Sequence, residues 1–325
     1  MITVLSEADL SGIALEDDAV RQAVGAGLRA QAEGRALAEP TTVFNPVPGR
    51  DDLIAVIRGA LPEAGLALVK TVGGFPGNAA KGLATNPGCL TLIETETGQV
   101  TGILPAATIT TQRTAMVTAI GAQHLARDWA RILGCIGTRG VAAQAVRYIA
   151  RAMPLEEIRL HGRDAEQTAA AATAMAAELD QKVIPAPDWE TCLAGADIMI
   201  DGAALPHDQV LFPPDAVKEG ALIIAYGAYS TLHPDFMDQV DRLVMDRWVA
   251  DERGALGPLA TNSSVTEARI DAFIGDVIAG HTRPRRAETD RILFCHRGVA
   301  ACDLALAGAY IRAASQRGLG TQVPL

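Results

Sequence analysis

The segment from Ile132 to His161 constrains the fold of this chain more than any other. It is composed of a buried strand over Ile132 to Ile136, a glycine-containing turn, an alanine-rich helix and a second strand over Ile158 to His161. Two strands joined by a helix predict a βαβ unit with parallel strands. Glycine at the first turn lets the backbone approach a pyrophosphate, and the next helix offers free N–H groups and a positive dipole end. The unit predicts dinucleotide binding, the alternative being a purely structural turn.

The glycine pattern differs from the usual G-x-G-x-x-G/A arrangement. Counted from Gly137, the second place holds Arg139 and the third holds Ala142. An arginine at the second place could clash with a pyrophosphate, or swing out and pair with a phosphate through its planar fork. We expect the turn to bind the cofactor through Gly137, Thr138, Arg139, Gly140 and Val141.

The end of the second strand bears on the choice of cofactor. An acidic residue there would accept a hydrogen bond from the ribose 2′-hydroxyl, but the chain has His161-Gly162-Arg163. Arg163 favours a 2′-phosphate, whereas Asp164 could equally be the N-cap of a helix from Ala165 to Leu179. NADP(H) is therefore the preferred cofactor, and NAD(H) remains possible.

Composition excludes several classes of protein. A length of 325 residues suggests two domains, and 49% hydrophobic with 20% charged residues is typical of a folded protein. With 28 basic and 38 acidic side chains the net charge is −10, and no basic run predicts a nucleic-acid partner. No segment has the roughly 18 uninterrupted apolar residues of a membrane span, and the first residues lack the features of a signal peptide. We expect a cytoplasmic protein without a membrane partner.

The cysteines argue against disulfides and against a structural metal site. Five are present, scattered along the chain and never spaced C-x-x-C. An odd, scattered set is typical of buried thiols, so no metal is expected.

The order of predicted elements gives the fold class. After Gly137 strands and helices alternate, with strands expected at Val183-Ile184, Asp197 to Ile200, Ala221 to Tyr226 and Arg242 to Met245. This alternation predicts an α/β, Rossmann-like domain with a mainly parallel sheet. The N-terminal part instead combines helices from Asp17 to Ala32 and from Ile109 to Ala126 with strands at Leu66 to Val72, Cys89 to Glu94 and Val100 to Leu104. It predicts a separate α+β lobe, and the chain ends in a helix from Asp303 to Arg317.

Two cations stand in apolar surroundings within the N-terminal lobe. Lys70 ends an apolar strand, and Arg113 lies in the apolar face of a helix. Burying either is costly unless an anion meets it. A small carboxylate substrate would satisfy both, with Arg113 binding it bidentately and Lys70 acting as point charge or proton donor. The alternative is that each pairs with a structural acid such as Glu94 or Asp303.

The chain resembles the ornithine cyclodeaminase and mu-crystallin family over essentially its whole length. The motifs that carry the resemblance are Lys70, Pro76-x-Asn78, Gly82-Leu83-x-Thr85, Thr97-Gly98, Thr110-x-x-Arg113-Thr114-Ala115, Ile136-Gly137-Thr138 and Gly298-Val299-Ala300-x-x-Asp303-Leu304-Ala305. The resemblance implies a homodimer and an NAD(P)-binding Rossmann domain, with Lys70 and Arg113 on the substrate carboxylate. It divides the chain into a substrate-binding and dimerisation lobe, residues 1–125 plus 303–325, and a dinucleotide-binding domain, residues 126–302.

Several positions depart from the family pattern. An aspartate that works on the substrate amine is expected after the fifth Rossmann strand, and Gly227-Ala228-Tyr229 stands there; a second substrate arginine is expected near Pro40, and Thr41-Thr42 stands there. In the turn from Phe294 to Gly298, His296 replaces the usual small residue near the nicotinamide, and Arg297 follows it. His296 could donate a proton, or it could be a hydrogen-bonded turn residue.

Loss of the amine-activating aspartate resembles the imine-reducing members of the family. We expect NAD(P)H-dependent reduction of a small imino acid or ketimine carboxylate, by hydride transfer to C=N. The alternatives are an ornithine cyclodeaminase or amino-acid dehydrogenase, and a non-catalytic binder of small ligands like mu-crystallin. The candidate catalytic residues are Lys70, Arg113 and His296; the candidate substrate-binding residues are Lys70, Asn78, Arg113, Tyr229 and Arg297; Arg163 and Thr85 join the turn as cofactor-binding candidates.

Overall fold

A computed structural model describes residues 1–202, 217–226, 232, 234–248 and 266–324. The chain folds into two compact units, Met1–Arg113 with Val299–Leu325, and Thr114–Gly298. The boundaries predicted after residues 125 and 302 lie further along the chain than these divisions. The assignment of substrate binding and dimerisation to the first unit stays a prediction.

The described strands and helices are numbered in chain order. The strands are β1 Ile2–Val4, β2 Leu37–Ala38, β3 Thr42–Phe44, β4 Leu53–Leu61, β5 Leu66–Gly74, β6 Gly88–Glu94, β7 Val100–Pro105, β8 Ile132–Ile136, β9 Glu157–His161, β10 Lys182–Pro185, β11 Ile198–Asp201, β12 Leu222–Tyr226, β13 Arg242–Met245, β14 Ala272–Phe273, β15 Ile292–His296 and β16 Thr321–Val323. The helices are α1 Glu7–Ile13, α2 Asp17–Ala32, α3 Ala106–Leu125, α4 Gly140–Ala152, α5 Ala165–Ala176, α6 Trp189–Leu193, α7 Ile274–Ile278 and α8 Ala300–Arg317.

The first unit is built on one mixed sheet with the order β16-β1-β7-β6-β5-β4-β2, and β3 also pairs with β4. Strands β4 to β7 form an antiparallel meander, in which alternate side chains point to the same face. The C-terminal helix α8 packs against α2, β4 and β5. Two glycines permit this close approach, because a Cβ on Gly27 would lie 2.8 Å from the Ala301 backbone and one on Gly59 would lie 2.7 Å from the Ala300 Cβ.

The second unit is built on a sheet with the order β10-β9-β8-β11-β12-β15-β13-β14. Its described strand pairs are all parallel. The strand order reverses between β8 and β11, which creates a topological switch point at the carboxyl ends of these strands. Ligands of open α/β sheets bind outside such a point, so the fold places the predicted dinucleotide turn at the expected edge.

The predicted α/β fold class is confirmed, and so are most of the predicted elements. The strands at Ile132–Ile136 and Arg242–Met245 and the helix Asp17–Ala32 have the predicted limits. Two predictions need correction. The turn expected from Phe294 onward is wrong, because β15 continues through His296. The last helix begins at Ala300, one turn before the predicted start.

Asp197 fixes the start of the parallel sheet. Its carboxylate accepts hydrogen bonds from the backbone N–H groups of Arg131 at 2.8 Å and Ile132 at 3.0 Å, and pairs with Arg127 at 2.9 Å and Lys218 at 2.8 Å. Burial alone would raise the pKa of Asp197, but these hydrogen bonds and the Lys218 charge lower it from 3.8 to about 2. The ionised carboxylate therefore stabilises the folded state.

We expect Asp197→Asn to lower the free energy of unfolding at pH 7 by about 2 kcal/mol or more, because one pKa unit corresponds to about 1.4 kcal/mol. In the wild type this contribution is present above pH 3.8 and is lost as the pH falls towards about 2. Urea unfolding of both proteins at pH 7 and pH 3 measures the difference. A difference between the two proteins that does not shrink at pH 3 would contradict the assignment.

Candidate active site

A buried ion cluster joins three elements of the first unit. Lys70 lies on β5, Arg113 on α3 and Asp303 in the first turn of α8. Lys70 Nζ donates to Asp303 Oδ1 at 2.7 Å, and Arg113 Nε donates to the same oxygen at 3.2 Å. The structure therefore brings the two predicted substrate cations together on one carboxylate.

Burial makes the electrostatics of this cluster strong. Lys70 is 0% exposed, Asp303 is 1% exposed and Arg113 is 6% exposed. Burial lowers the pKa of the Lys70 ammonium, while the charge of Asp303 raises it. Burial alone would raise the pKa of Asp303, but Arg113 and Lys70 lower it below its ordinary value. Two cations share one carboxylate, so the three groups together have a formal charge of +1.

Of the two acids considered as structural partners, only Asp303 contacts the cations. Glu94 instead accepts hydrogen bonds from the backbone N–H groups of Glu96 at 2.6 Å and Thr97 at 2.8 Å, which closes the β6–β7 hairpin. Asp303 was not among the predicted site residues. The signal that pointed to it was an acid placed in the first turn of an alanine-rich helix, where the positive end of the helix dipole also favours a carboxylate.

The loop after β5 carries two further candidates. It contains a 3₁₀ helix over Pro76–Lys81. The side-chain amide of Asn78 donates to the Ala84 carbonyl at 2.8 Å, and the N–H of Phe75 donates to the Thr85 carbonyl at 2.8 Å. Asn78 thus shapes the loop, and Thr85 is exposed. Substrate binding by Asn78 and cofactor binding by Thr85 remain predictions.

In the second unit, the turn between β8 and α4 depends on glycine. Gly137 has φ +120°, and a Cβ there would lie 2.9 Å from the Gly202 carbonyl oxygen. Gly202 follows β11 directly, and its own Cβ would lie 2.6 Å from the Tyr226 hydroxyl and 2.9 Å from the Ile136 carbonyl oxygen. The switch point therefore has space for backbone only. Gly202 was missed from the sequence, although a glycine directly after a buried strand was its signal.

The start of α4 offers N–H donors at this switch point. Arg139 is the N-cap, and its side chain makes no capping hydrogen bond. The helical bonding pattern begins with the Ala143 N–H, which donates to the Arg139 carbonyl at 3.5 Å. The N–H groups before it are those that a helix leaves without an internal partner, and they favour an anion. Arg139 and Gly140 are exposed, while Thr138 and Val141 are half-buried.

Gly162, the residue before Arg163, lies close to this turn. A Cβ on Gly162 would be 3.2 Å from Thr138 Cγ2, so the end of β9 approaches the turn closely. Asp164 is the N-cap of α5 and accepts hydrogen bonds from Gln167 N at 3.0 Å and Gln167 Nε2 at 2.9 Å. The capping alternative for Asp164 is therefore confirmed. Arg163 is exposed.

His296 is the last residue of β15 and is 0% exposed. Its Nε2 lies 2.9 Å from Thr118 Oγ1, which donates to the Thr114 carbonyl at 3.1 Å. Because the threonine proton is committed to that carbonyl, we assign the shared proton to His296 Nε2. The ring stacks on Phe294 with centroids 5.1 Å apart. This arrangement matches the hydrogen-bonded alternative for His296, and its catalytic role stays a prediction.

A carboxylate holds the turn after His296. Asp246 Oδ2 accepts hydrogen bonds from the backbone N–H groups of Arg297, at 3.0 Å, and Gly298. Substrate binding by Arg297 stays a prediction. Substrate binding by Tyr229 also stays a prediction, because Tyr229 lies outside the residues that the structure describes.

Among the residues that the structure describes, no group of His, Cys, Asp and Glu side chains is arranged to hold a metal ion. No described helix is both long and apolar enough to cross a membrane.

Comparison with known proteins gives consistent matches. The model of the ornithine cyclodeaminase/mu-crystallin family matches residues 3–317. The chain is 30% identical over 247 residues to the Δ¹-pyrroline-2-carboxylate/Δ¹-piperideine-2-carboxylate reductase of Azospirillum brasilense, which covers 74% of each chain. The structure of the Δ¹-pyrroline-2-carboxylate reductase of Thermococcus litoralis with NADH and L-proline superposes with a TM-score of 0.90 at 22% identity, over 99% of this chain and 100% of that one. The structure of an archaeal alanine dehydrogenase dimer with bound NAD superposes with a TM-score of 0.89 at 21% identity. The match covers 100% of this chain and 99% of that one.

The two glycines of the turn differ in what surrounds them, which gives a matched pair of variants. Gly137→Ala meets the Gly202 carbonyl, whereas Gly140→Ala, at φ +55°, has no atom within 4 Å of its Cβ. We expect Gly140→Ala to lower the free energy of unfolding by about 1 kcal/mol, because alanine is strained in the left-handed backbone conformation of Gly140. Gly137→Ala should cost at least about twice that, because backbone must also move. Urea unfolding measures both, and equal costs would contradict the close contact.

Proposed function

Because the chain belongs to the ornithine cyclodeaminase/mu-crystallin family, we propose that it is an NAD(P)H-dependent reductase of a small imino acid or ketimine carboxylate. The observation that carries this proposal is the buried cluster in which Lys70 and Arg113 both donate to Asp303. Similarity to reductases of Δ¹-pyrroline-2-carboxylate supports the same reaction class. The protein is then an oxidoreductase acting on C=N bonds.

Arg113 and Lys70 bind the substrate carboxylate in this proposal. The bond to Asp303 uses the Nε of Arg113, one of five N–H donors of a guanidinium whose fork matches a carboxylate. A monocarboxylate neutralises the formal charge of these three groups. Desolvation then strengthens the attraction between the carboxylate and the cations.

Lys70 is the candidate proton donor. Reduction of an imine adds hydride to carbon and a proton to nitrogen, which a cationic acid provides. Burial lowers the pKa of Lys70, which makes its ammonium a stronger acid than an exposed lysine. The charge of Asp303 opposes this shift. His296 remains a second candidate, and its Nε2 proton already faces Thr118.

The residues of the second unit fit a dinucleotide. The contacts of Gly137 and Gly202 leave room for backbone only, and the start of α4 offers N–H donors to a pyrophosphate. A bound nicotinamide supplies hydride to the imine carbon. Gly137, Thr138, Gly140 and Val141 would hold the phosphates, with Arg139 as an exposed cation beside them. Arg163 is exposed and available to a 2′-phosphate, whereas the Asp164 carboxylate caps α5. Both features favour NADP(H) over NAD(H).

A second copy of the chain is the proposed partner of the first unit. Exposed apolar side chains gather on β2 to β4 and the residues between them; they are Leu37, Val43, Phe44, Val47 and Leu53, each at least 40% exposed. Large exposed apolar patches mark interaction surfaces. The similar alanine dehydrogenase is a dimer, which supports a homodimer here.

The reaction is tested by following NADPH oxidation with 1-pyrroline-2-carboxylate, 1-piperideine-2-carboxylate and 2-oxo acids supplied with ammonia or methylamine. We expect turnover with at least one imine and no proline from ornithine with catalytic NAD⁺. Proline formation above about 1 per second would instead show a cyclodeaminase. If no assay shows NADPH oxidation or proline formation and the protein binds a hydrophobic ligand, the non-catalytic alternative is favoured.

The role of Asp303 is tested by Asp303→Asn. The amide removes the charge that raises the Lys70 pKa, so loss of activity on the alkaline side should begin at lower pH. We expect kcat/KM for the imine to fall about tenfold or more, since a broken buried ion pair costs several kcal/mol. Asp197→Asn is the matched control, because it breaks a buried carboxylate network in the second unit. Equal pH profiles for wild type and Asp303→Asn would contradict the proposal.

The cofactor preference is tested by Arg163→Ala. Loss of a charge-assisted bond to the 2′-phosphate should weaken NADPH binding about tenfold and leave NADH binding unchanged. Arg131→Ala, before the start of the same βαβ unit, is the control. Fluorescence titration with each nucleotide measures both affinities. A wild-type preference for NADH, or equal effects of Arg163→Ala on both nucleotides, would show that Arg163 does not select NADPH.

A further inference from the structure

Arg242 is a buried cation that the proposed reaction does not use. It is the first residue of β13 and is 4% exposed. Within the part of the chain that the structure describes, its Nε and Nη1 atoms have no hydrogen-bond partner. Burying a charged group without a partner is strongly unfavourable, and such charges in proteins are normally paired.

The acids nearest to Arg242 are committed to other donors. Asp271 Oδ2 accepts hydrogen bonds from Leu243 N at 2.8 Å and Arg269 Nη1 at 2.8 Å. Asp290 Oδ2 accepts from the backbone N–H groups of Arg286 at 2.8 Å and Ala287 at 3.1 Å. These carboxylates act on Arg242 through their charge only.

A second guanidinium, that of Arg286, reaches the residue before Arg242, because its Nη2 donates to the Asp241 carbonyl. The side chain of Arg286 is 58% exposed, and its Nη1 is 3.4 Å from Asp271 Oδ1. Burial lowers the pKa of Arg242, and the charge of Arg286 lowers it further, against the opposing effect of Asp271 and Asp290. Arg242 and Arg286 are thus two interacting cations, one buried and one exposed, on a chain whose net charge is −10.

Arg242 lies at the amino ends of the parallel strands, whereas the dinucleotide turn lies at their carboxyl ends. Strand β13 is parallel to β15, and the parallel pairing continues through β12 and β11 to β8. Arg242 begins its strand, whereas Gly137 follows the end of β8. An anion at Arg242 is therefore distinct from the phosphates of a cofactor at α4.

We propose that Arg242 and Arg286 bind a small oxyanion, a phosphate or carboxylate group, at the amino end of β13. An oxyanion accepts several N–H bonds at once and matches the planar donors of a guanidinium. It would supply the partner that Nε and Nη1 lack and reduce the repulsion between the two cations.

The test uses the full chain in phosphate-free buffer. Sodium phosphate, sodium succinate and sodium chloride are titrated at equal ionic strength, and the melting temperature and heat of binding are recorded. We expect saturable stabilisation by phosphate or succinate beyond that of chloride. Comparison of phosphate with succinate identifies which oxyanion the site prefers.

Two variants distinguish specific binding of the oxyanion at Arg242 from non-specific screening of the protein's charges by salt. Arg242→Met, of similar length but apolar, should weaken oxyanion binding about tenfold or more, because it removes a buried charged donor. Arg291→Met is the matched control, since Arg291 lies at the same end of β15 and donates to the Val217 carbonyl at 3.2 Å. The start of α4 is intact in both variants, so any binding there cancels in the comparison.

Equal losses in Arg242→Met and Arg291→Met, or no stabilisation beyond chloride, would overturn the proposal and leave ordered water as the partner of Arg242. If Arg242→Met does not fold, Arg286→Met together with ³¹P line broadening of phosphate by the wild-type protein decides the question. Broadening that Arg286→Met abolishes supports the site, and broadening that it leaves unchanged contradicts it.

Discussion

The bonds of Asp303 to Lys70 and Arg113 are the interaction on which the candidate site depends. Its partners are separated from it by 233 and 190 positions along the chain. The site therefore exists only when the C-terminal helix packs on the N-terminal sheet. Gly27 and Gly59 make that packing possible, because side chains there would collide with α8. One carboxylate is bonded to both buried cations, so the same packing contact sets the position of all three charged groups.

Close backbone contact is the corresponding constraint in the second unit. Gly137 and Gly202 meet where the strand order of the parallel sheet reverses, and each would collide with backbone if it carried a Cβ. This contact leaves the start of α4 available to an anion. Arg139, which stands in place of the usual second glycine, is the exposed N-cap of α4.

Periodicity predicted the local elements well, and contacts between distant residues only in part. The βαβ unit was predictable because apolar runs and glycine turns are local signals, whereas β4 was missed although it has nine residues and pairs with β5 along its whole length. Lys70 and Arg113 were predictable as cations in apolar segments, but the choice of Asp303 over Glu94 depends on how α8 packs. The partner of His296 and the isolation of Arg242 depend on tertiary packing in the same way, because no local pattern specifies them.

The claim that the buried cations bind a substrate carboxylate is tested most directly with two unreactive planar analogues, pyrrole-2-carboxylate and pyrrole-2-carboxamide. Both have the ring of a cyclic imine, and only the first carries the charge. We expect the carboxylate to compete with the imine substrate with an inhibition constant at least about tenfold lower than that of the amide, since charge-assisted hydrogen bonds are much stronger than neutral ones. Equal inhibition by the two compounds would show that Lys70 and Arg113 serve the packing of the first unit and do not bind the substrate.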